Sequence, residues 1–72
     1  MNTKAFLLIE ATVGNSLRIL NSLKRVEEVK SVDAVTGPYD LIAILEAQDL
    51  NGISNIVANK VHTVDGVVRT GT

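Results

Sequence analysis

A proline-containing turn that leads directly into an apolar strand constrains the fold of this chain more than any other stretch. The turn is Gly37-Pro38-Tyr39-Asp40, and residues 41–45 (LIAIL) after it carry no polar side chain. Pro38 fixes its own φ at about −65°, and Gly37 tolerates turn angles that other residues avoid. A short apolar run bounded by turn residues is typical of a strand covered on both faces. We expect the chemistry of the protein at the junction marked by Asp40.

The size of the chain predicts that it oligomerises. Its 72 residues are expected to form one domain over residues 1–72, and a domain of this size buries only about 60% of its unfolded surface. Small domains usually gain further stability from disulfides, a metal or oligomerisation. The chain has no cysteine, and its single histidine, His62, cannot build a metal site with scattered carboxylates. We therefore expect no metal and no cofactor, which leaves oligomerisation.

The charge balance argues against nucleic acid and membrane as direct partners. Seven basic and eight acidic residues give a formal charge of −1, and neither sign is clustered along the chain. Non-specific nucleic-acid binding needs several basic side chains on one face. No apolar run approaches the roughly 20 residues of a membrane span, and the N-terminus lacks the long apolar core of a signal peptide. We expect a cytoplasmic protein.

Alternating strand and helix patterns follow one another along the chain. Leu17, Leu20 and Leu23 recur at helical spacing, which predicts a helix that begins at Asn15 or Ser16. A second helix is predicted from the spacing of Leu50, Ile53, Val57 and Val61, with Asp49 as its cap. The predicted elements are strands over residues 4–11, 29–36, 39–47 and 67–72, a helix ending near residue 25, and a helix ending near residue 62.

This β-α-β-β-α-β order predicts a ferredoxin-like α+β fold. Right-handed crossovers place both helices on one face of a four-stranded antiparallel sheet. The first and third strands are apolar on both faces and belong at the centre, whereas the charged strands belong at the edges, which gives the order 4-1-3-2. Phe6, Leu8 and residues of the third strand then leave the other face too apolar for water. We expect a second copy to cover it, as in a dimeric α+β-barrel.

No catalytic constellation is present in the sequence. The chain has no cysteine nucleophile, and His62 near a helix end is most simply a solvated residue. Two roles are equally compatible with the position of Asp40. Its carboxylate accepts hydrogen bonds from turn amides, or it binds an ammonium group. Thr70 and Thr72 share one face of the last strand and offer hydroxyls to a polar ligand, although threonine is also a good strand former.

Two motifs carry a family resemblance over nearly the whole chain, from Lys4 to Thr72. V-T-G-P-Y-D-L-I-A-I-L, followed by a helix and then V-D-G-V-V-R-T-G-T, resembles the effector-binding (RAM) domain of the Lrp/AsnC, or feast/famine, transcription regulators. That family carries a V-T-G-x-[YF]-D hairpin and a G-V-x-x-T-x-T strand after the second helix. The helix-turn-helix of the family is absent from these residues, so the chain resembles a stand-alone effector module without a DNA-binding domain.

The resemblance implies a non-enzymatic amino-acid sensor. Family members pair through their sheets, and their dimers assemble into rings of eight or ten chains with a free amino acid bound between dimers. The chain would therefore act as a homo-oligomer, alone or co-assembled with a full-length Lrp-like regulator. The ligand-binding residues carried over by this resemblance are Gly37, Pro38, Tyr39, Asp40, Thr70 and Thr72.

Three alternatives remain open from the sequence. An ACT-like domain shares the βαββαβ order and binds amino acids near a glycine after the first strand, which would make Gly14 the key residue. A small dimeric α+β-barrel enzyme would need a cluster of polar interior residues, and the sequence offers none. A purely structural assembly module would bind no ligand.

Overall fold

Four strands and two helices follow the βαββαβ order in the computed structural model, which describes residues 2–71. The ferredoxin-like order predicted from the sequence is confirmed. The elements are β1 (Thr3–Ala11), α1 (Ser16–Leu23), β2 (Val29–Ala34), β3 (Leu41–Ala47), α2 (Leu50–Ile56), which continues into a π-helical turn (Val57–Val61), and β4 (Val67–Gly71).

The four strands form one antiparallel sheet in the order β2-β3-β1-β4. This is the predicted 4-1-3-2 arrangement. The central strands β1 and β3 are paired along residues 3–9 and 41–47, and their apolar side chains on both faces suit that position. The edge strand β2 exposes Lys30 and Asp33, and such charges discourage pairing with a further strand.

The hydrophobic core lies between the sheet and the two helices. Inward-facing residues of the central strands, such as Leu7 and Leu45, alternate with residues that point to the other face. Burying one aliphatic side chain of this size stabilises the fold by about 1.5–3 kcal/mol. The core side chains are Leu7, Ile9, Ile19, Leu23, Val32, Leu41, Ala43, Leu45, Ile53, Ile56 and Val61.

The opposite face of the sheet is apolar at its centre and is not covered by either helix. Phe6 lies beside Ile44, and Leu8 lies beside Ile42, across the β1–β3 pairing. We call these four residues the open face. The Phe6 side chain is 61% exposed, and the other three are half-buried. A cluster of large apolar side chains in this position is typical of an interaction surface.

The first helix is shorter than predicted and is capped differently. It ends at Leu23 rather than near Arg25, and Leu17, which the helical spacing assigned to the apolar stripe, is 70% exposed. Asn15 occupies the N-cap position, but its side chain accepts no bond from the helix amides. It bonds to Thr12 and accepts a hydrogen bond from Arg18 instead, so side-chain partners compete successfully with the helix end.

The second helix begins as predicted but does not remain α-helical to its end. The Asp49 Oδ1 atom accepts a hydrogen bond from the Gly52 N–H at 2.8 Å, which confirms the predicted cap. Eight residues of α-helix rotate about 80° beyond two full turns, which would carry Val61 away from the line of Ile53. The wider π-helical turn reduces this rotation, so Val61 is fully buried.

Candidate functional site

The hairpin between β2 and β3 is an open loop over residues 35–40 rather than the tight turn predicted from the sequence. The strands end at Ala34 and begin again at Leu41, and these two residues are paired. The loop is closed by the Val35 N–H, which donates to the Asp40 carbonyl at 2.9 Å. Gly37 has a φ of 117°, a conformation that side-chain-bearing residues rarely adopt.

Asp40 attaches this loop to β1 with two hydrogen bonds. Its N–H donates to the Ile9 carbonyl at 2.9 Å, and its Oδ2 atom accepts from the Ala11 N–H at 2.8 Å. β1 extends beyond Ile9, which is its last residue paired with β3. The Ala11 amide on that side would therefore lack a partner, and the Asp40 carboxylate supplies one. A bracing role, one of the two considered from the sequence, is thus present in the structure.

Tyr39 connects the hairpin loop to the last strand. A side chain at Gly71 would place its Cβ 2.9 Å from the Tyr39 hydroxyl, so the ring lies directly against the β4 backbone. The Arg69 guanidinium lies 5.5 Å from the centre of the same ring, within the range of a cation–π interaction. Its Nε atom also donates to Glu10 Oε1 at 2.7 Å.

Thr70 faces away from the hairpin loop. It is paired with Ile9 on one side of β1, whereas Leu41 is paired with Ile9 on the other side. Two strand spacings, about 10 Å, therefore separate it from the start of β3. Its hydroxyl lies 3.0 Å from His62 Nε2 on the helix side of the sheet. Thr72 lies outside the described residues.

The loop presents backbone N–H groups to solvent. Within residues 2–71, the amides of Thr36, Gly37 and Tyr39 have no hydrogen-bond partner. A shallow depression of about 460 Å³ beside them is lined by Ala34, Val35 and Thr36. Thr36 and Gly37 supply two successive free amides, an arrangement that favours an anion, whereas Pro38 after them has no N–H. The carried-over residues thus fall into two groups, the hairpin loop 37–40 and the separate Thr70.

The motifs did not point to several residues that surround Tyr39 and Thr70 in the structure. Arg69 and Gly71 lie against Tyr39. Glu10 binds Arg69, and His62 contacts Thr70. Their proximity depends on the register between β1 and β4 and on where the π-helical turn ends. Hydrophobic periodicity reports neither of these, so no signal of this kind could have found them.

The glycine required by the ACT-like alternative lies in a different environment. Gly14 follows β1, has a φ of 84° and has no other group within 4 Å of the position where a side chain would begin. It borders a depression of about 560 Å³ along α1, to which Arg18 and Arg25 contribute. Arg18 is bonded to Asn15 and lies 3.6 Å from Asp65.

Two further properties of the described residues bear on function. Among residues 2–71, no three histidine, aspartate or glutamate side chains are grouped so that they could hold a metal ion. Over the same range, neither helix has the length and apolar character needed to cross a bilayer.

Comparison with known proteins identifies the class as a ligand-binding domain of transcription regulators. The family model described as "Lrp/AsnC ligand binding domain" matches residues 4–72. The chain therefore belongs to the Lrp/AsnC ligand-binding domain family. It is also 32% identical over 54 residues to YugG, an uncharacterized HTH-type transcriptional regulator of Bacillus subtilis (strain 168), covering 75% of the chain and 32% of YugG. The chain thus spans about a third of that relative.

Solved structures show the same fold. The protein TTHA0845 from Thermus thermophilus superimposes with a TM-score of 0.90 at 30% identity, covering 99% of this chain and 88% of that one. The transcriptional regulator NMB0573 from Neisseria meningitidis, solved as a complex with L-Met, gives a TM-score of 0.83 at 23% identity. That match covers 94% of this chain and 46% of NMB0573, and it establishes likeness of fold alone.

Proposed function

We propose that this domain is a non-enzymatic sensor that binds a free α-amino acid between two dimers. The observation that carries the proposal is the hairpin loop. Its Thr36, Gly37 and Tyr39 amides have no hydrogen-bond partner among residues 2–71, while Asp40 holds the loop to β1. The unpaired N–H groups suit the α-carboxylate of the ligand. The Asp40 carboxylate uses Oδ2 for Ala11 and has Oδ1 to offer the α-ammonium group, which would form a charge-assisted hydrogen bond.

Family membership supports this ligand class. The chain belongs to a family named for ligand binding, and a regulator of the same fold was solved with L-Met. L-Methionine is accordingly the first amino acid to test. The identity of the side chain that fits best depends on groups from neighbouring chains, because the depression beside the loop is shallow in one protomer.

The open face supplies the dimer contact of this proposal. Two copies that stack through Phe6, Leu8, Ile42 and Ile44 would remove from water the apolar side chains of the open face. Burial of apolar surface stabilises by about 25 cal/mol per Å². Following the family resemblance, we propose that such dimers assemble into rings of eight or ten, alone or together with a full-length Lrp-like regulator.

Two separate chains are needed if a single amino acid is to contact both Asp40 and Thr70. Buried Ile9 lies between the start of β3, beside Asp40, and Thr70 within one protomer. The α-ammonium and α-carboxylate of one ligand are too close together to reach across that distance. We therefore assign the hairpin loop of one dimer and Thr70 of a neighbouring dimer to the same site. Thr72 is included on the motif alone.

The proposal assigns no direct DNA contact to these residues. Arg18, Lys30, Lys60 and Arg69 each lie within 4.0 Å of a carboxylate. Four of the seven basic residues are thus already neutralised in part. Because affinity for duplex DNA comes largely from basic side chains that neutralise phosphates, regulation of transcription would require a DNA-binding domain outside these residues.

A matched pair of glycine variants tests the position of the site. Gly37 and Gly14 both have positive φ and open surroundings, so alanine at either position should cost a similar amount, about 1–2 kcal/mol of folding free energy. Only Gly37→Ala should weaken amino-acid binding, because it distorts the loop whose amides hold the carboxylate. We expect at least about a tenfold loss of affinity by calorimetric titration, as for a lost bond to a charged group.

The reverse result would place the amino-acid site elsewhere in the domain. If Gly14→Ala abolished binding and Gly37→Ala left it intact, the ligand would bind after β1, as the ACT-like alternative requires. Melting temperatures of both variants, recorded alongside the titrations, separate a local loss of binding from a general loss of folded protein.

A further inference from the structure

A histidine–threonine pair forms the polar contact between the end of the second helix and the last strand. His62 Nε2 lies 3.0 Å from Thr70 Oγ1, which is hydrogen-bond distance. His62 is exposed and Thr70 is half-buried. The pair is therefore accessible to solvent on one side, and it is formed by the chain's only histidine.

The π-helical turn brings this histidine to its place. The His62 N–H donates to the Val57 carbonyl at 2.9 Å, five residues back, and so closes the turn. π-Helical turns are rare and often occur at functional sites. Val61 is buried in the core immediately before it, so the position of the His62 backbone is fixed by packing rather than by an exposed loop.

We propose that His62 is a positioning residue of the amino-acid site, and that its protonation decides whether the Thr70 hydroxyl donates its proton to the ligand. This inference rests on the proposed function, in which Thr70 of one dimer faces an amino acid held by the hairpin loop of its neighbour. His62 itself does not contact the ligand. It acts through the hydroxyl that does.

The two protonation states give Thr70 opposite roles. Neutral His62 with its proton on Nδ1 accepts the Thr70 hydroxyl proton at Nε2, which leaves only lone pairs of Oγ1 for the ligand. Protonated His62 donates from Nε2 to Oγ1, and the Thr70 O–H is then free to donate to the ligand carboxylate. The positive charge of the imidazolium favours the same anion. Amino-acid binding should therefore tighten as His62 becomes protonated.

The charged groups on neighbouring elements are paired with one another. Lys60, which precedes His62 in the π-helical turn, donates to both carboxylate oxygens of Glu28 at 2.9 Å. Arg18 on α1 lies 3.6 Å from Asp65, which is in the loop before β4. Next to Thr70 on β4, Arg69 points to the opposite face of the sheet and binds Glu10. Within residues 2–71, His62 is therefore the ionisable side chain that contacts the Thr70 hydroxyl directly.

The test measures amino-acid affinity against pH by calorimetric titration, with L-methionine as the first probe. If L-methionine does not bind, the probe is the standard amino acid that raises the melting temperature most. For the unaltered chain we expect affinity to rise about tenfold from pH 8 to pH 5, which corresponds to a His62 pKa about one unit higher in the complex. Because the chain has one histidine, its ring NMR signals report that pKa directly.

Four variants distinguish a positioning role of His62 from a purely structural one. In His62→Ala and Thr70→Val, amino-acid affinity should not change with pH. In Thr70→Ser the affinity should keep its pH dependence, because the hydroxyl is kept. Thr63→Val is the matched control: it removes a hydroxyl that donates to the Asn59 carbonyl near the same helix end. It should leave both the affinity and its pH dependence unchanged.

Each outcome decides the inference. The inference is supported by a rise in His62 pKa on binding, together with flat profiles for His62→Ala and Thr70→Val. If the unaltered chain binds an amino acid but its affinity does not change with pH, or nitrogen NMR places the neutral-state proton on Nε2, the inference fails while the proposed function stands. If no standard amino acid binds at any pH, both fail together.

Discussion

Replacing Phe6 with aspartate is expected to convert the proposed dimer to a monomer. Phe6 belongs to the open face and lies beside Ile44. In the proposed dimer its side chain is buried against the second copy. An ionised aspartate there would lose its water without gaining a partner, which costs about 3–5 kcal/mol. The dissociation constant should therefore rise by at least about 100-fold, as measured by light scattering or sedimentation over a dilution series.

Leu17→Asp provides the matched control for this prediction. Leu17 is 70% exposed on α1, and Phe6 is 61% exposed on the sheet, so both substitutions replace an exposed apolar side chain with a charge. Only the change on the open face should alter the oligomeric state. A Phe6→Asp variant that remained fully dimeric at low concentration would contradict pairing through the sheet. If it unfolded instead, the dimer contact would be required for folding as well.

Removing the Asp40 carboxylate is expected to weaken both the fold and the ligand site. In Asp40→Ala the Ala11 N–H loses the acceptor that now lies 2.8 Å away. Loss of a hydrogen bond to a charged group costs about 1.5–3 kcal/mol, which lowers the melting temperature of a domain of this size by roughly 5–20 °C. Amino-acid affinity should fall as well, because the loop that carries Gly37 is then held to β1 by the Asp40 backbone bond alone.

Asp40→Asn separates the two roles of this residue. Its side-chain carbonyl can still accept from Ala11, so the melting temperature should stay within a few degrees of that of the unaltered chain. Its negative charge is gone, so affinity for the α-ammonium group should fall about tenfold or more. An Asn variant that bound as tightly as the unaltered chain would show that Asp40 serves only to brace the loop.

The fold was predictable because it follows from alternation along the strands. The apolar runs of β1 and β3 require cover on both sides, which places them at the centre of the sheet, and charged residues such as Asp33 require an edge. Helix ends were less predictable. Asn15 is a good cap by residue type but is engaged by Arg18, and this competition depends on side-chain geometry.

The candidate site was predictable only in part. The motif placed Gly37 and Asp40 in one loop, where the structure has them, and a bracing role for Asp40 was one of two options. The particular partner of Asp40, the Ala11 amide, was not predictable, because it depends on how far β1 extends beyond β3. The His62–Thr70 contact was not predictable either, because it requires the π-helical turn. Contacts that depend on strand register or on the number of residues per helical turn cannot be predicted from the spacing of residue types along the chain.

Calorimetric titration of the unaltered chain with each standard amino acid, beginning with L-methionine, tests the central claim most directly. The account predicts saturable binding of at least one of them at millimolar concentration or below. A thermal shift should accompany it: at 100 times the dissociation constant, a ligand stabilises the folded protein by about 2.7 kcal/mol. Absence of both heat and thermal shift for all of them at millimolar concentration would contradict amino-acid sensing, and the domain would then be a structural assembly module.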